Sequence, residues 1–410
     1  MVPKTLLLTN HAPGRKSAGG VFIKEILELY PKKSICCFHT NPAPESEDYN
    51  ELTWLPMEYG KAPTKYGLRR FGYKVCRYSR PIVEYYFEQV KIPRLVNKAV
   101  RFGRNQKVEL VIATLDSIAT VQIAKSVAVS LGIPLVVIVW DPPEYNLCEK
   151  YGLDNYSCTR LLKTFDDAVR FSTSCSVPSE GMKRSYENKY GTKCIVMVYG
   201  SKPEKVIGHT VFQSDPERFI VGFAGSIIAN DVWDTFVSAL ADQNWKIAGR
   251  EVVIRMQGAQ LNISTNTPLQ IEFRGWRSHS ETIHSLSESD IAYLPYWFDE
   301  SKKEFVTLSF PSKIAAYLAA DLPVFYHGPR KSTASEFIQK HNIGVCCHSL
   351  DHTDIIETLE SYLGDSEAYQ RTREACNVTF EKELSASVFR ERLSKFIGVR
   401  ESELFPESRK

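Results

Sequence analysis

Short apolar runs alternate with helical segments along almost the whole chain, and one polar stretch interrupts the series near the middle. The first series reads as strands at Thr5–Asn10, Ser34–Thr40, Leu110–Thr114, Leu135–Asp141, Ala168–Thr173 and Cys194–Tyr199. Helices are expected between them, most clearly at Gly20–Tyr30, Ser117–Leu131 and Pro178–Tyr190, the last with Ser179 as its cap. The second series has strands at Ile220–Ala224, Val252–Gln257, Ile271–Arg274, Ile291–Pro295, Val324–His327 and Val345–Cys347. Its helices are expected at Val232–Ala241, Ser280–Ser287, Lys313–Ala320, Thr333–Lys340 and Thr353–Leu363, followed by a wholly helical end. Strand–helix alternation is the pattern of parallel sheets covered on both faces. The expected class is therefore α/β, with two Rossmann-like domains facing each other across a cleft. Residues 1–200 form the first, 201–218 a polar linker with two prolines, and 219–380 the second. Residues 381–410, a helix and a polar tail, are expected to return to the first domain.

A chain of 410 residues exceeds the size at which one core stops growing, which agrees with two domains. Its 43% hydrophobic and 24% charged residues exclude wholesale disorder. No apolar run approaches the roughly 20 residues that span a bilayer. Nor does a basic segment with an apolar core precede Thr5, so no secretory leader is expected. The ten cysteines lack zinc spacings with histidine, and Cys36-Cys37 and Cys346-Cys347 sit in apolar runs as small core residues. Neither a disulfide framework nor a metal site is expected, and a reduced cytoplasm fits. The net charge of +3 is uneven: thirteen lysines and arginines between Lys61 and Lys107 are opposed only by Glu84 and Glu88. Aromatic residues interleave them. Such a stretch suits anionic lipid headgroups or a lipid-diphosphate acceptor, and it also fits a solvated helical face. No nucleic-acid-binding motif accompanies it.

The segment from Ile291 to Pro329 carries the most chemistry. A strand leads through a polar loop, Trp297–Thr307, to Leu308-Ser-Phe-Pro-Ser-Lys313, where a helix begins. Ser309 and Ser312 offer hydroxyls, Ser312–Ile314 the backbone N–H groups of a helix start, and Lys313 a positive charge. Together they suit a phosphate; an ordinary crossover needs similar residues.

Phe310-Pro-Ser-Lys313, followed by Tyr317-Leu-Ala-Ala and Pro323-Val324, resembles the donor-binding segment of retaining GT-B glycosyltransferases related to family 4. Phe223-Ala-Gly-Ser226, Val252 to Gly258 and Phe273-Arg-Gly-Trp276 are similar to that family's first strand and glycine turn, next strand, and base-cradling loop. The resemblance implies a nucleoside diphosphate sugar as co-substrate, with no cofactor and no metal. It implies donor contacts from Gly225, Ser226, Arg255, Gly275, Trp276, Ser309, Phe310, Pro311, Ser312, Lys313 and Tyr317. The chain departs from the family at Leu308 and Ala316, where paired carboxylates stand, at Asp321 in place of a glycine, and at Ser226 in place of a basic residue.

In the first domain, Ala12 to Phe22 includes Gly19-Gly20 and is similar to the family's glycine loop. Asp141-Pro-Pro-Glu144 follows an apolar strand, which places carboxylates at a strand's carboxyl end. Asp141, then Glu144, then Asp116 are the candidates for contacting the acceptor or the reacting sugar. A solvated strand-end carboxylate that caps a helix fits each equally well. His11 is the only histidine near these loops.

The expected function is metal-independent transfer of a hexose-like sugar to a glycan or lipid-linked acceptor, in cell-surface polysaccharide or glycoconjugate synthesis, with retained configuration. The expected place is cytoplasmic, peripheral at the inner face of the membrane. Two alternatives stand beside it: a degenerate GT-B protein that binds a glycan or supports an active partner, and another GT-B sugar-nucleotide enzyme.

Overall fold

The computed structural model describes residues 2–13, 18–41, 52–62, 87–198, 215–258, 270–275 and 277–404. The expected linker therefore lies mostly outside the described residues, as do Trp276 and residues 63–86 of the basic stretch. The chain divides into two compact units, Met1–Met197 with Arg390–Lys410, and Val198–Phe389.

Among its described residues the first unit is built on a parallel sheet. Its strands are β1 (Thr5–Thr9), β2 (Ile35–His39), β3 (Met57–Tyr59), β4 (Leu110–Thr114), β5 (Leu135–Ile138), β6 (Ser174–Val177) and β7 (Cys194–Val196). They lie in the order β3-β2-β1-β4-β5-β6-β7. The chain winds outward from β1 in one direction and from β4 in the other, so the two crevice-forming strands are β1 and β4. Every residue of β1, β2, β4 and β5 is buried, which is why these strands read as continuous apolar runs.

The helices of this unit are α1 (Ala18–Leu29), α2 (Ile92–Gln106), α3 (Ile118–Leu131), α4 (Asn155–Phe171) and α5 (Glu180–Tyr190). Local chemistry sets their ends. Ser117 and Ser179 accept from the N–H groups of Thr120 and Met182, and Gly132 and Gly191 close α3 and α5 at φ of 69° and 67°. Removing either serine cap costs about 1 kcal/mol.

Several expectations need correction here. Ala168–Thr173 is not a strand: Ala168 and Val169 sit one turn beyond Phe165 and two beyond Leu161 on the buried face of α4. The strand is the next segment, Ser174–Val177, whose serines hid it from a hydropathy reading. Nor are all cysteines free, because Cys148 and Cys158 form a disulfide across Cα atoms 5.4 Å apart. It ties the π-helical turn Glu144–Glu149 to the start of α4.

The second unit repeats the plan. Its strands are β8 (Arg218–Ala224), β9 (Lys246–Ile247), β10 (Arg250–Gln257), β11 (Ile271–Phe273), β12 (Ile291–Pro295), β13 (Val324–His327) and β14 (Gly344–Cys347). The parallel order is β11-β10-β8-β12-β13-β14, with β9 antiparallel to β10. Here the order reverses between β8 and β12. The helices are α6 (Asn230–Asp242), α7 (His279–Ser287), α8 (Lys303–Leu308), α9 (Lys313–Ala319), α10 (Thr333–His341), α11 (His352–Gly364) and α12 (Ser366–Thr379). After a π-helical turn at Phe380–Leu384 comes α13 (Ala386–Ile397), of which the part from Arg390 onward counts with the first unit, as does α14 (Glu401–Leu404). The polar loop expected at Trp297–Thr307 thus contains most of α8.

Alternate residues of the central strands feed two cores. Tyr293 and Phe325 join Phe236 and Trp233 on one face, while Leu294 and Tyr326 join Tyr317 and Leu318 on the other. The Tyr293 and Phe236 rings stack with centroids 4.2 Å apart. At the end of α9, Asp321 takes the left-handed conformation (φ 52°) that a glycine adopts more readily, and Asn377 donates to its carboxylate at 3.1 Å. Among the described residues no helix is long and apolar enough to cross a membrane.

Candidate functional site

The glycine turns of the second unit collect at the carboxyl ends of β8, β10 and β11. Gly225, Gly258 and Gly275 have φ of 88°, 124° and 70°. Gly225 N donates to Gln257 O at 2.8 Å, and Gly258 N to Gly275 O at 3.0 Å, so the three turns form one hydrogen-bonded layer. A Cβ on Gly258 would lie 3.0 Å from Gly225 O, so both the backbone angle and the spacing require glycine there.

Lys313, in the first turn of α9, reaches this layer. Its Nζ donates to Ser226 O and lies 4.4 Å from the Phe223 ring centre. Among the described residues no carboxylate pairs with it, and burial pushes its pKa down to about 7. A cation with no carboxylate partner among the described residues, beside glycine turns at the crevice of a doubly wound sheet, is equipped to bind an anion.

The neighbouring residues divide into two groups. Ser309 is almost fully buried, and its hydroxyl has no partner among the described residues. Phe310 packs edge-on against Phe337, with ring centroids 5.0 Å apart. Ser312 is exposed, and Ile314 N already donates to Pro311 O, so only the earlier N–H groups of the expected helix start can serve a ligand. Two other expected donor contacts are engaged elsewhere. Arg255 lies within β10, where it binds Glu272 at 3.0 Å and Glu288 at 3.2 Å. Tyr317 is fully buried: its hydroxyl donates to Tyr293 O and burial raises its pKa well above the usual phenol range. It holds the sheet to α9 and does not reach solvent. Gln257 was not expected. It is 3% exposed, and neither side-chain amide atom has a partner among the described residues.

In the first unit the structure brings together residues 105 positions apart. His11 follows β1 and Asp116 follows β4, and His11 Nε2 lies 2.8 Å from Asp116 Oδ2. The other carboxylate oxygen accepts from Thr114 Oγ1 at 2.7 Å. Gly19 falls in the first turn of α1 instead of in a loop, and a Cβ on it would stand 2.6 Å from the His11 ring. Gly20 continues the same helix. Trp140, at the end of β5, lies 5.8 Å from His11 and is held edge-on by Phe22 at 5.4 Å. Asp141 is half-buried beside it, and Glu144 opens the π-helical turn. From that turn Asn146 donates to Asp116 O at 3.4 Å. Asp116, the last of the three carboxylates in the sequence ranking, is the one with a histidine against it. The signal lay in the strand order, which places the residues after β1 and β4 side by side.

Residues 235–395 match a family model described as the glucosyltransferase 3-like C-terminal domain. No curated protein sequence matches the chain. Solved structures similar to the chain include the Anabaena protein HepE in complex with UDP and glucose, with a TM-score of 0.62 and 13% identity over 97% of this chain and 99% of that one. Sucrose-phosphate synthase from Thermosynechococcus elongatus has a TM-score of 0.65 and 10% identity over 99% and 100%. A glycosyltransferase from Rickettsia africae has a TM-score of 0.60 and 14% identity over 99% and 100%. With two Rossmann-like units and these neighbours, the chain has the fold of the GT-B glycosyltransferases.

Proposed function

We propose that the protein transfers a hexose from a nucleoside diphosphate sugar to a glycan or lipid-linked acceptor, without a metal ion. The observation that carries this reading is Lys313, a cation with no carboxylate partner among the described residues, set against the Gly225–Gly258 turns. A diphosphate supplies the missing counter-charge, and the same ammonium can offset the charge that builds on the leaving group. Ser309 and the N–H groups before Ile314 add donors, and the Gly275 turn is the place for the base. The family match to a glucosyltransferase-like domain and the UDP and glucose bound to the Anabaena neighbour support the choice of donor class. Domain limits at about residues 200 and 218, and acceptor contacts from Asp141 and Glu144, belong to the same proposal.

A peripheral place at an anionic membrane surface, in cell-surface glycan synthesis, completes it. The basic face of α2 supports this: Arg94, Lys98, Arg101 and Arg104 are exposed on it, with Lys91 and Lys107 at its ends. Leu308 and Ala316, where the resembling family carries carboxylates, favour a second reading, a chain that binds a sugar nucleotide or glycan without turning it over. Release of nucleoside diphosphate from a panel of donors separates the two. Release by the wild type that is lost in the Asp141→Asn, Lys313→Ala double variant supports transfer; undiminished release shows that these residues are the wrong ones.

A further inference from the structure

We infer that the Cys148–Cys158 disulfide is a redox latch of the first unit: closed, it holds the π-helical turn Glu144–Glu149 to α4, and reduction by a dithiol releases the turn. Its effect on transfer rests on the acceptor reading of Asp141 and Glu144 given above, whereas the latch itself stands apart from that reading.

The bond joins two elements that each keep their own hydrogen bonds. At the start of α4 the Asp154 carboxylate accepts from Ser157 N at 2.9 Å, and Cys158 N donates to Asp154 O at 2.9 Å. In the turn Asn146 N donates to Pro142 O and Lys150 N to Tyr145 O, both at 3.1 Å. Only 10 positions separate the cysteines, so reduction opens a short loop and leaves the sheet and its helices in place. What reduction changes is where the turn sits. π-Helical turns are rare and recur at functional sites. This one follows β5 and carries Glu144 and Asn146. Asn146 Nδ2 donates to Asp116 O at 3.4 Å, the long end of a hydrogen bond, so that contact depends on the position of the turn.

The two sulfurs differ in access. Cys148 is 7% exposed and Cys158 is half-buried, so a thiol reaches the bond from the Cys158 side. Another pair behaves differently: Cys175 and Cys194 are partners in register on β6 and β7, both are buried, and both are thiols. Nearness alone therefore does not join cysteines in this chain, and burial withholds that pair from reagents. In the reaction a thiolate of the dithiol attacks Cys158 Sγ, the S–S bond breaks, and Cys148 leaves as a thiolate that takes up a proton. The reductant's second thiolate attacks the mixed disulfide, and Cys158 leaves in the same way. The cysteines gain two electrons and two protons, and the dithiol becomes its cyclic disulfide.

The test treats the full chain, without denaturant, with dithiothreitol and then with oxidised glutathione. Mass mapping of alkylated thiols follows Cys148 and Cys158, and hydrogen exchange follows residues 141–153. On reduction both cysteines are expected to become alkylated, and exchange in 141–153 to rise about tenfold or more while the strands keep their protection. Reoxidation restores the protection. The Cys148→Ser, Cys158→Ser double variant should exchange like the reduced wild type and no longer respond to either reagent. A bond that dithiothreitol does not open, exchange that stays unchanged, or loss of protection throughout the first unit each overturns the latch, the last by making the bond a staple of the whole fold. Release of nucleoside diphosphate from UDP-, GDP- and dTDP-glucose reads the effect on transfer. It should fall about threefold or more in the reduced protein at donor affinity within about twofold; equal release in the two states overturns the link to transfer. If no donor binds, the transferase reading falls, and the exchange experiment still decides the latch.

Discussion

The Lys313 ammonium lies 4.4 Å from the centre of the Phe223 ring and donates to the next turn at Ser226 O. The ring lies beneath the cation, and a glycine at 225 leaves room for the lysine stem. A Cβ there would stand 3.3 Å from Lys313 Cε. Desolvation without a carboxylate is what brings this lysine down to about 7.

Donor binding should therefore take up a proton. A diphosphate favours the charged ammonium, so the lysine titrates higher in the complex than in the free protein. Above about pH 7 the free lysine is increasingly neutral, proton uptake approaches one, and donor affinity falls as pH rises. Calorimetry in two buffers of different ionisation enthalpy reads the uptake directly. Equal apparent enthalpies in both buffers at pH 8 would count against a diphosphate at Lys313.

His327 makes the second unit sensitive to acid. It is fully buried, its two ring nitrogens lie 3.0 Å from the Tyr293 hydroxyl and 2.7 Å from Ser349 O, and burial pushes its pKa down to about 4. Between about pH 4 and the ordinary histidine value of 6.5 the unfolded chain binds the extra proton and the folded chain does not. Stability thus rises with pH across that window, and its loss on acidification amounts to about 3 kcal/mol. Urea unfolding between pH 4 and 7 measures the slope. His327→Gln should flatten it, and an unchanged slope in that variant would assign the effect to another group.

Asp290 anchors β8 to its neighbours. It is 1% exposed, accepts from Ile220 N at 2.7 Å and pairs with Arg250 at 2.9 Å. Asp290→Ala leaves the buried Ile220 N–H without its acceptor and takes the carboxylate from Arg250, whose guanidinium still donates to Arg218 O, and should cost about 1–3 kcal/mol. Chemical denaturation of the variant checks this; a loss under about 1 kcal/mol would mean that water replaces the carboxylate.

Gly258→Ala tests the glycine layer. The new methyl would meet Gly225 O at 3.0 Å with the backbone held at φ 124°. The variant should lose about 1–3 kcal/mol of stability, and donor affinity with it as the Gly225 turn shifts. Wild-type affinity in a folded variant would separate this layer from the donor site.

Much of the architecture was legible because its causes are local. Apolar runs such as Thr5–Thr9 and Ile291–Pro295 are strands because both faces are buried, and Ser179 reads as a cap because its hydroxyl takes the free N–H of Met182. Gly225 and Gly275 are singled out through the family resemblance instead of local chemistry. What escaped depends on the assembled fold. Ser174–Val177 is a strand by its place beside β5 and β7, although its composition is half serine. Arg255 carries a charge in a strand, and only the neighbouring Glu272 and Glu288 show that it is spent on ion pairs. Cys148 and Cys158 meet because a π-helical turn and a helix start pack together. His11 and Asp116 meet because β1 and β4 are adjacent, which spacing along the chain does not reveal.

Whether Lys313 and the glycine turns hold a sugar nucleotide is decided by titrating UDP-, GDP- and dTDP-sugars into the wild type and Lys313→Ala. One-to-one binding of at least one donor is expected, weakened about tenfold or more by the substitution. Heats indistinguishable from dilution for every donor, or equal affinity in the two proteins, would contradict it.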